Sequence, residues 1–388
     1  LARNQIPYRW LDIEVSDEAK QYVELVSMDN LRLPLLVFPD GTTLLNPTSR
    51  EIADKIGLKT RPENPFYDVI IIGGGPAGLA AGVYGASEGL RTVIVEKSAP
   101  GGQAGTSSRI ENYLGFPVGL SGADLARRAV AQARRFGAEI LTPQSASSIR
   151  LEEPYRILTL EDGTELSAHV ILIATGVSYY RLEAPGVDTF TGAGVYYGAA
   201  LSEALNYVGQ DVVIVGAGNS AGQAAMYFSK YARNVIMLVR DTWLGKTMSQ
   251  YLVNYIEATP NISVRVNHEV AAARGVNHLE EVDILNNNTG DQETIQTSAL
   301  FIFIGAKPQT GWLGDVIERD TYGFIQHGGN GYRPRGWPLE RDPYMFETNI
   351  PGIFVAGDAR IGSVKRVATA VGEGAMAIQF IHKYLGGL

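Results

Sequence analysis

Two stretches of this chain repeat one pattern, a run of apolar, mostly β-branched residues that breaks into closely spaced glycines. The first reads Val69-Ile-Ile-Ile-Gly73-Gly-Gly75-Pro76-Ala77-Gly78. The second reads Val212-Val-Ile-Val-Gly216-Ala-Gly218-Asn219-Ser220-Ala221. Each is a buried strand running into a glycine turn that opens a helix, the fingerprint of a dinucleotide-binding unit. Gly73 and Gly216 permit the tight turn. Gly75 and Gly218 let a pyrophosphate touch backbone N–H groups. Gly78, replaced by Ala221 in the second copy, lets the helix pack close to its strand. One such fingerprint is a weak signal. Strand, turn, helix and second strand, occurring at residues 68–97 and again at 211–241, are specific together. They set the fold class: α/β, with two nested Rossmann-like domains.

Further pieces fit the first unit. The helix Ala77 to Glu88 offers its positive N-terminus to phosphate. The strand Thr92 to Val95 ends in Glu96, roughly 20 residues beyond Gly75, where a carboxylate grips ribose hydroxyls. Val170 to Ala174, followed by Thr175 and Gly176, reads as a buried strand ending in a tight turn. Ile353 to Ala356, followed by Gly357 and Asp358, reads as another that ends in an acid. Lys365, Arg366, Val367 and Ala368 then open a long helix to about Tyr384. Its N-terminus would stabilise negative charge on a reduced cofactor ring. In the second unit the strand ends in Arg240 and Asp241. Arg240 suits a ribose 2′-phosphate. Asp241 would repel that phosphate but accept ribose hydroxyls, and Lys246 is a replacement cation. NADH, NADPH and another adenine nucleotide are therefore all open for this site.

Composition removes other chemistries. The chain of 388 residues has no cysteine, which excludes disulfides, thiolate catalysis and cysteine-ligated metal within it. Its five histidines do not pair at ligand spacing, so no metal is expected. A net charge of −8 argues against a broad nucleic-acid or acidic-membrane surface, and the apolar runs are far short of a membrane span. A cytoplasmic location is the expectation.

Residues 1–60 read as a small front unit. Tyr8 to Glu14 is expected as a strand, Asp17 to Val26 as a helix, and Leu35–Phe38 with Thr42–Leu45 as a hairpin turning at Pro39-Asp40-Gly41. Ser49 is expected to cap a helix through Ile56. This order resembles the tail of a thioredoxin or glutaredoxin fold. The resemblance implies a cis-proline at Pro34 and places the fold's first strand and Cys-x-x-Cys before Leu1. Leu1-Ala-Arg-Asn4 looks like the end of a helix, so an upstream segment is expected. A polar linker, 61–67, leads to a first domain segment at 68–183, a nucleotide domain at 184–305 and a second segment of the first domain at 306–388.

From residue 68 onward, the order of Gly73-x-Gly75-x-x-Gly78, Gly101-Gly102-Gln103, Glu111-Asn112-Tyr113, Ala174-Thr175-Gly176, Gly216-x-Gly218-Asn219-Ser220-Ala221 and Gly357-Asp358 resembles the low-molecular-weight thioredoxin reductases. The resemblance implies FAD in the first site, NADPH in the second and a homodimer. It implies that Gln103 and Asn112 contact the flavin ring, Asp358 holds the ribityl chain, and Ala368 offers its N–H to the ring. Two departures stand out. The family's His-Arg-Arg grip on the 2′-phosphate is reduced to Arg240. The family's redox cysteines fall on Gly198 and Leu201, after Gly194-Val195-Tyr196-Tyr197. Tyr196 and Tyr197 are candidates to face the flavin or to pack within the domain.

The expected activity is a flavoenzyme that takes hydride from a reduced nicotinamide and passes electrons to a non-disulfide acceptor, such as a quinone, an iron–sulfur protein, a second flavin or oxygen. A ferredoxin/flavodoxin–NADP reductase, the flavoprotein subunit of an alkyl hydroperoxide reductase, and a nicotinamide-independent enzyme using a second flavin are alternatives. So is a non-catalytic flavin- or nucleotide-binding sensor. The loop Gly328 to Trp337 reads as a flexible basic-aromatic insertion.

Overall fold

The computed structural model describes residues 1–4, 6–24, 33–107, 110, 112–198, 206–329 and 331–388. The chain divides into two units: Leu1–Thr106, Ser121–Gly176 and Pro308–Leu388 in the first, and Ser107–Leu120 with Val177–Lys307 in the second. The front 60 residues lie inside the first unit, and the crossings fall after residues 176 and 307. The described α-helices are α1 (Asp17–Glu24), α2 (Ser49–Lys55), α3 (Pro76–Ser87), α4 (Gly122–Arg135), α5 (Asn219–Phe228), α6 (Gln250–Glu257) and α7 (Val367–Leu385). None is long and apolar enough to cross a membrane among the described residues.

The first unit is built on a seven-stranded sheet. The strands Glu139–Leu141, Thr92–Val95, Phe66–Ile72, Glu165–Ile173 and Ile353–Val355 are parallel, and Tyr155–Leu160 and Ala146–Glu152 extend the sheet antiparallel. The parallel strands are covered on both faces, which is why they read as unbroken apolar runs. Val69 and Ile71 pack on one side with Ala77 and Ile378, whereas Ile70 and Ile72 pack on the other with Leu158 and Ile325. Helix α7 crosses α3 so closely that a Cβ at Gly374 would stand 2.1 Å from the Ala77 carbonyl oxygen.

The second unit carries a five-stranded parallel sheet in the order Val195–Tyr197, Ala299–Ile302, Asp211–Val215, Asn234–Val239, Ile262–Val266. Helices α5 and α6 bury one face through Ala221, Phe228, Leu252 and Ile256. An antiparallel sheet, His268–Gly275, Leu279–Asn286 and Gln292–Gln296, covers the other through Val270, Leu279 and Val282.

The front segment departs from expectation in two places, the strand and the helix cap. Tyr8 to Glu14 forms no strand; residues 6–12 are irregular, and Trp10 is 76% exposed. Among the described residues no strand runs beside it, so its aromatic and branched apolar residues have no ladder to join. Helix α1 is described to Glu24, and residues 25–32 lie outside the described set. The α2 cap is Thr48 rather than Ser49, in a capping box with Glu51. The hairpin Leu35–Val37/Thr43–Leu45 forms as read, and the Leu33–Pro34 bond is cis.

The linker is pinned to the first unit. Thr60 is buried, Lys59 O accepts from Thr142 N at 2.9 Å, and Glu63 N donates to Glu139 at 2.8 Å. The insertion after Gly328 is also held. Tyr332 donates to Glu318, Trp337 Nε1 donates to Arg341 O at 2.6 Å, and Arg341 meets the fully buried Glu347 through two nitrogens at 2.7 and 3.0 Å. Asn330 lies outside the described residues.

Candidate functional site: two glycine-turn cradles

In an open parallel sheet, ligands bind beyond the carboxyl ends of the strands. Register puts Val95, Ile72, Ile173 and Val355 in one row of the first sheet. The residues just beyond that row form one rim: Glu96, Gly73, Ala174 and Ala356-Gly357. The rim is tied across by backbone bonds, Gly73 N to Val95 O at 2.8 Å, Ala174 N to Ile72 O at 2.8 Å and Ala356 N to Ile173 O at 3.0 Å.

The glycines of the first turn divide by what a side chain would meet. A Cβ on Gly73, whose φ is +107°, would stand 2.4 Å from Ala174 O, and one on Gly78 would stand 1.8 Å from Gly73 O. These two glycines are required by the protein itself. Gly75 has φ −76°, and its Cβ would find only Gly102 Cα, at 3.9 Å. Its neighbourhood is open, a cradle that a Cβ would begin to fill. Gly75 is also the N-cap of α3, and no side chain caps the helix's first amides. Uncapped amides beside an open glycine suit a pyrophosphate.

Glu96 is buried. Its Oε2 accepts from Gly74 N at 2.7 Å and its Oε1 from Ser98 N at 2.9 Å. The acid therefore sets the turn's shape, and its remaining lone pairs can accept ribose hydroxyls. Thr175 Oγ1 is buried without a hydrogen-bond partner, an orphan of the kind a bound ligand satisfies. Gly102 adjoins Gly75, while Gln103 is exposed.

The opposite end of the rim is formed by Gly357 and Asp358. Burial pushes the Asp358 carboxyl above its ordinary range, against the hydrogen bond from Ser363 and the charge of Lys365. Ser363 Oγ donates to it at 2.7 Å. Gly357 lies near the first turn of α7, its Cβ position 4.0 Å from Ala370 Cβ. Arg366 is the α7 N-cap, and its side chain makes no capping bond, leaving the amides of Val367 and Ala368 uncapped.

A buried network that the sequence reading missed supports this end. Glu373 on α7 accepts from Gly357 N at 2.7 Å and from Arg360 Nε at 2.8 Å. Arg360 also approaches His327 Nε2 at 3.4 Å, and His327 Nδ1 donates to Gly328 O at 2.7 Å. Burial holds the His327 imidazole below its ordinary pKa. The available signal was Glu373 itself, the one acid of α7, set between two glycines.

Asn112 is among the described residues, outside the unit that carries this rim. It belongs to the segment Ser107–Leu120 of the second unit, and its neighbour Glu111 lies outside the described residues.

The second cradle repeats the first. Gly216, at φ +140°, would bring a Cβ to 2.5 Å from Phe303 O, whereas a Cβ on Gly218 would meet nothing within 4 Å. Gly218 caps α5 without a side-chain bond. Asn219 and Ser220 are exposed, and Asn219 Oδ1 accepts from Ser249 N at 2.8 Å. At the next strand end, Lys246 Nζ pairs with Asp241 at 2.7 Å. Lys246, the replacement cation of the sequence reading, is thus paired with the acid in this structure. Arg240 is exposed and makes no ion pair among the described residues.

Both tyrosines have partners within their own unit. The Tyr196 ring stacks on Phe301 at 5.2 Å, and its hydroxyl meets that of Tyr207 at 2.9 Å. Tyr197 Oη accepts from Leu182 N at 3.1 Å. Leu201 lies outside the described residues.

Residues 67–374 match the pyridine nucleotide-disulphide oxidoreductase family. The chain is 32% identical to the 34.2 kDa protein in the rubredoxin operon of Clostridium pasteurianum, over 84% of this chain and 99% of that protein. It is also 32% identical to thioredoxin reductase of Mycoplasmopsis pulmonis, over 81% and 96% respectively. Among solved structures, thioredoxin reductase from Streptococcus pyogenes is similar at 31% identity with a TM-score of 0.74, covering 84% of this chain and all of that one.

Proposed function

Because the chain belongs to the pyridine nucleotide-disulphide oxidoreductase family, whose thioredoxin reductase-like members use FAD and NADPH, we propose that it is a flavoenzyme that accepts hydride from NADPH and delivers electrons to an acceptor other than a disulfide. One observation carries the reading: two open glycine cradles, at Gly75 and Gly218, stand in a chain with no cysteine. FAD would supply the redox chemistry; the protein supplies position and charge.

In this reading the amides of the Gly75 turn and the first turn of α3 hold the FAD pyrophosphate. Glu96 accepts ribose hydroxyls and Asp358 accepts from the ribityl chain. The N-terminus of α7, at Val367 and Ala368, favours negative charge at the flavin ring, an effect of about 0.3–2 kcal/mol. No side chain is needed as a general base. The resemblance to thioredoxin reductases supports a homodimer.

The test is anaerobic addition of NADPH or NADH to the purified protein. Rapid loss of the oxidised-flavin absorbance band is expected. A flavin bleached by dithionite but by neither nucleotide would instead favour a sensor or a nicotinamide-independent enzyme.

NADPH is preferred over NADH because Lys246 neutralises Asp241 and leaves Arg240 to meet a 2′-phosphate. Arg240→Ala is expected to raise KM for NADPH about tenfold, the scale of one charge-assisted contact, with KM for NADH nearly unchanged. Equal effects on the two would remove Arg240 from the phosphate site.

A further inference from the structure

We propose that two pieces of the front segment, residues 1–4 and 50–60, clamp the loop 96–102 and so set how tightly FAD is retained, with Arg3, Asn4 and Thr60 as positioning residues. The inference rests on reading this rim as an FAD site.

The loop is held by two sets of bonds that meet at Ser98 O. In the first, Arg3 Nη2 donates to Ala99 O at 3.3 Å and to Gly102 O at 3.2 Å, and Asn4 Nδ2 donates to Ser98 O at 3.2 Å. The second passes through two intermediaries. Thr142 N donates to Lys59 O at 2.9 Å, while Thr142 Oγ1 donates to Ser98 O at 3.2 Å. Gln144 Nε2 donates to Thr60 O at 2.6 Å, while Gln144 N donates to Glu96 O at 2.8 Å. Thr60, Thr142 and Gln144 are all buried, so this second attachment is part of the interior. An ion pair between Arg50 on α2 and Asp162 anchors the same region, and Asp162 also accepts from Gln144 Nε2 at 3.1 Å.

The loop in turn shapes the pyrophosphate turn. Gly101 N donates to Gly74 O at 2.7 Å, and Glu96 holds Gly74 N. Gly101 and Gly102 have φ of +111° and +56°, and a Cβ on Gly102 would stand 3.0 Å from Gly75 Cα. A shift of the loop is therefore a shift of the cradle wall. A short loop fixed by few bonds opens locally at low free energy, and each added bond lowers the open population. Events that displace residues 1–4 are thereby communicated to the flavin site without touching it.

The experiment follows FAD release from the loaded full chain, by the rise in free-flavin fluorescence after dilution. The variant Arg3→Ala/Asn4→Ala loses the three outer bonds at an exposed surface. It is expected to release FAD about 5- to 30-fold faster, the scale of one to two net hydrogen bonds, with the thermal midpoint of the apoprotein unchanged. Arg50→Ala, which removes only the ion pair behind Asp162 and Gln144, is expected to show a smaller acceleration. Wild-type release rates in both variants would overturn the clamp. So would a fall in apoprotein stability that accounts for the faster release, since that marks general loosening. A wild-type protein that takes up no FAD would overturn the cofactor assignment itself, and the clamp with it.

Discussion

Replacing Gly75 by valine is expected to give a folded protein that purifies colourless and takes up no FAD, a loss of at least about a thousandfold in affinity. The isopropyl group would occupy the place of the pyrophosphate and bar it from several backbone donors, each charge-assisted bond contributing about 1.5–3 kcal/mol. The variant is a clean test because the fold does not need this glycine. Its φ of −76° suits any residue, and its Cβ position is open apart from Gly102 Cα at 3.9 Å. The adjacent glycines behave otherwise. At Gly78 a Cβ would collide with a backbone oxygen 1.8 Å away, and at Gly73 with one 2.4 Å away. Alanine at either is expected to unfold the unit, so colour loss there reports nothing about the ligand. Circular dichroism and flavin absorbance together separate the cases. A yellow Gly75→Val protein would remove the turn from the cofactor site.

The contrast between these glycines shows what was legible beforehand. The strand–turn–helix units could be read because a buried parallel strand is a local signal and the glycine spacing after it is a recurrent one, although the contacts that require Gly73 and Gly216 are to Ala174 and Phe303, far along the chain. Glu96 could be placed by its spacing. The Glu373 network could not be read in the same way, because Glu373 on α7 serves an amide at Gly357 and a guanidinium at Arg360, and only the folded path of the chain brings these together. The same holds for Arg3 and Gly102, 99 residues apart in sequence. Tyr8 to Glu14 failed for the opposite reason. Its aromatic and branched apolar residues were a local signal, but a strand needs a partner, and none is placed beside it among the described residues. The flexible look of Gly328 to Trp337 came from its glycines, whereas its conformation is set by Glu318 and Glu347.

Purified protein is expected to show no turnover with an oxidised thioredoxin, at least about three orders of magnitude below its rate with a one-electron dye, the scale of loss when a catalytic nucleophile is absent. Disulfide exchange proceeds by thiolate attack, and this chain contains no cysteine. Gly198, the position that the sequence resemblance assigns to the first relay cysteine, also has a backbone and surroundings that disfavour a side chain. Gly198 has φ +80°, and a Cβ there would stand 2.7 Å from Tyr179 Oη and 2.8 Å from the ring carbon bearing it. Gly198→Cys would therefore be strained in its backbone and crowded by a tyrosine of the same unit. The double variant Gly198→Cys/Leu201→Cys is accordingly expected to remain inactive toward thioredoxin, and adding Tyr179→Ala removes the crowding but leaves the left-handed backbone conformation. A coupled assay of NADPH consumption, with oxidised thioredoxin as the only acceptor, reads both outcomes. Turnover by the unmodified chain would mean that electrons reach a disulfide without a thiol relay in this protein. Rescue by the double variant would show that the segment around Gly198 rearranges readily, and that two cysteine side chains are all that separates this chain from disulfide reduction.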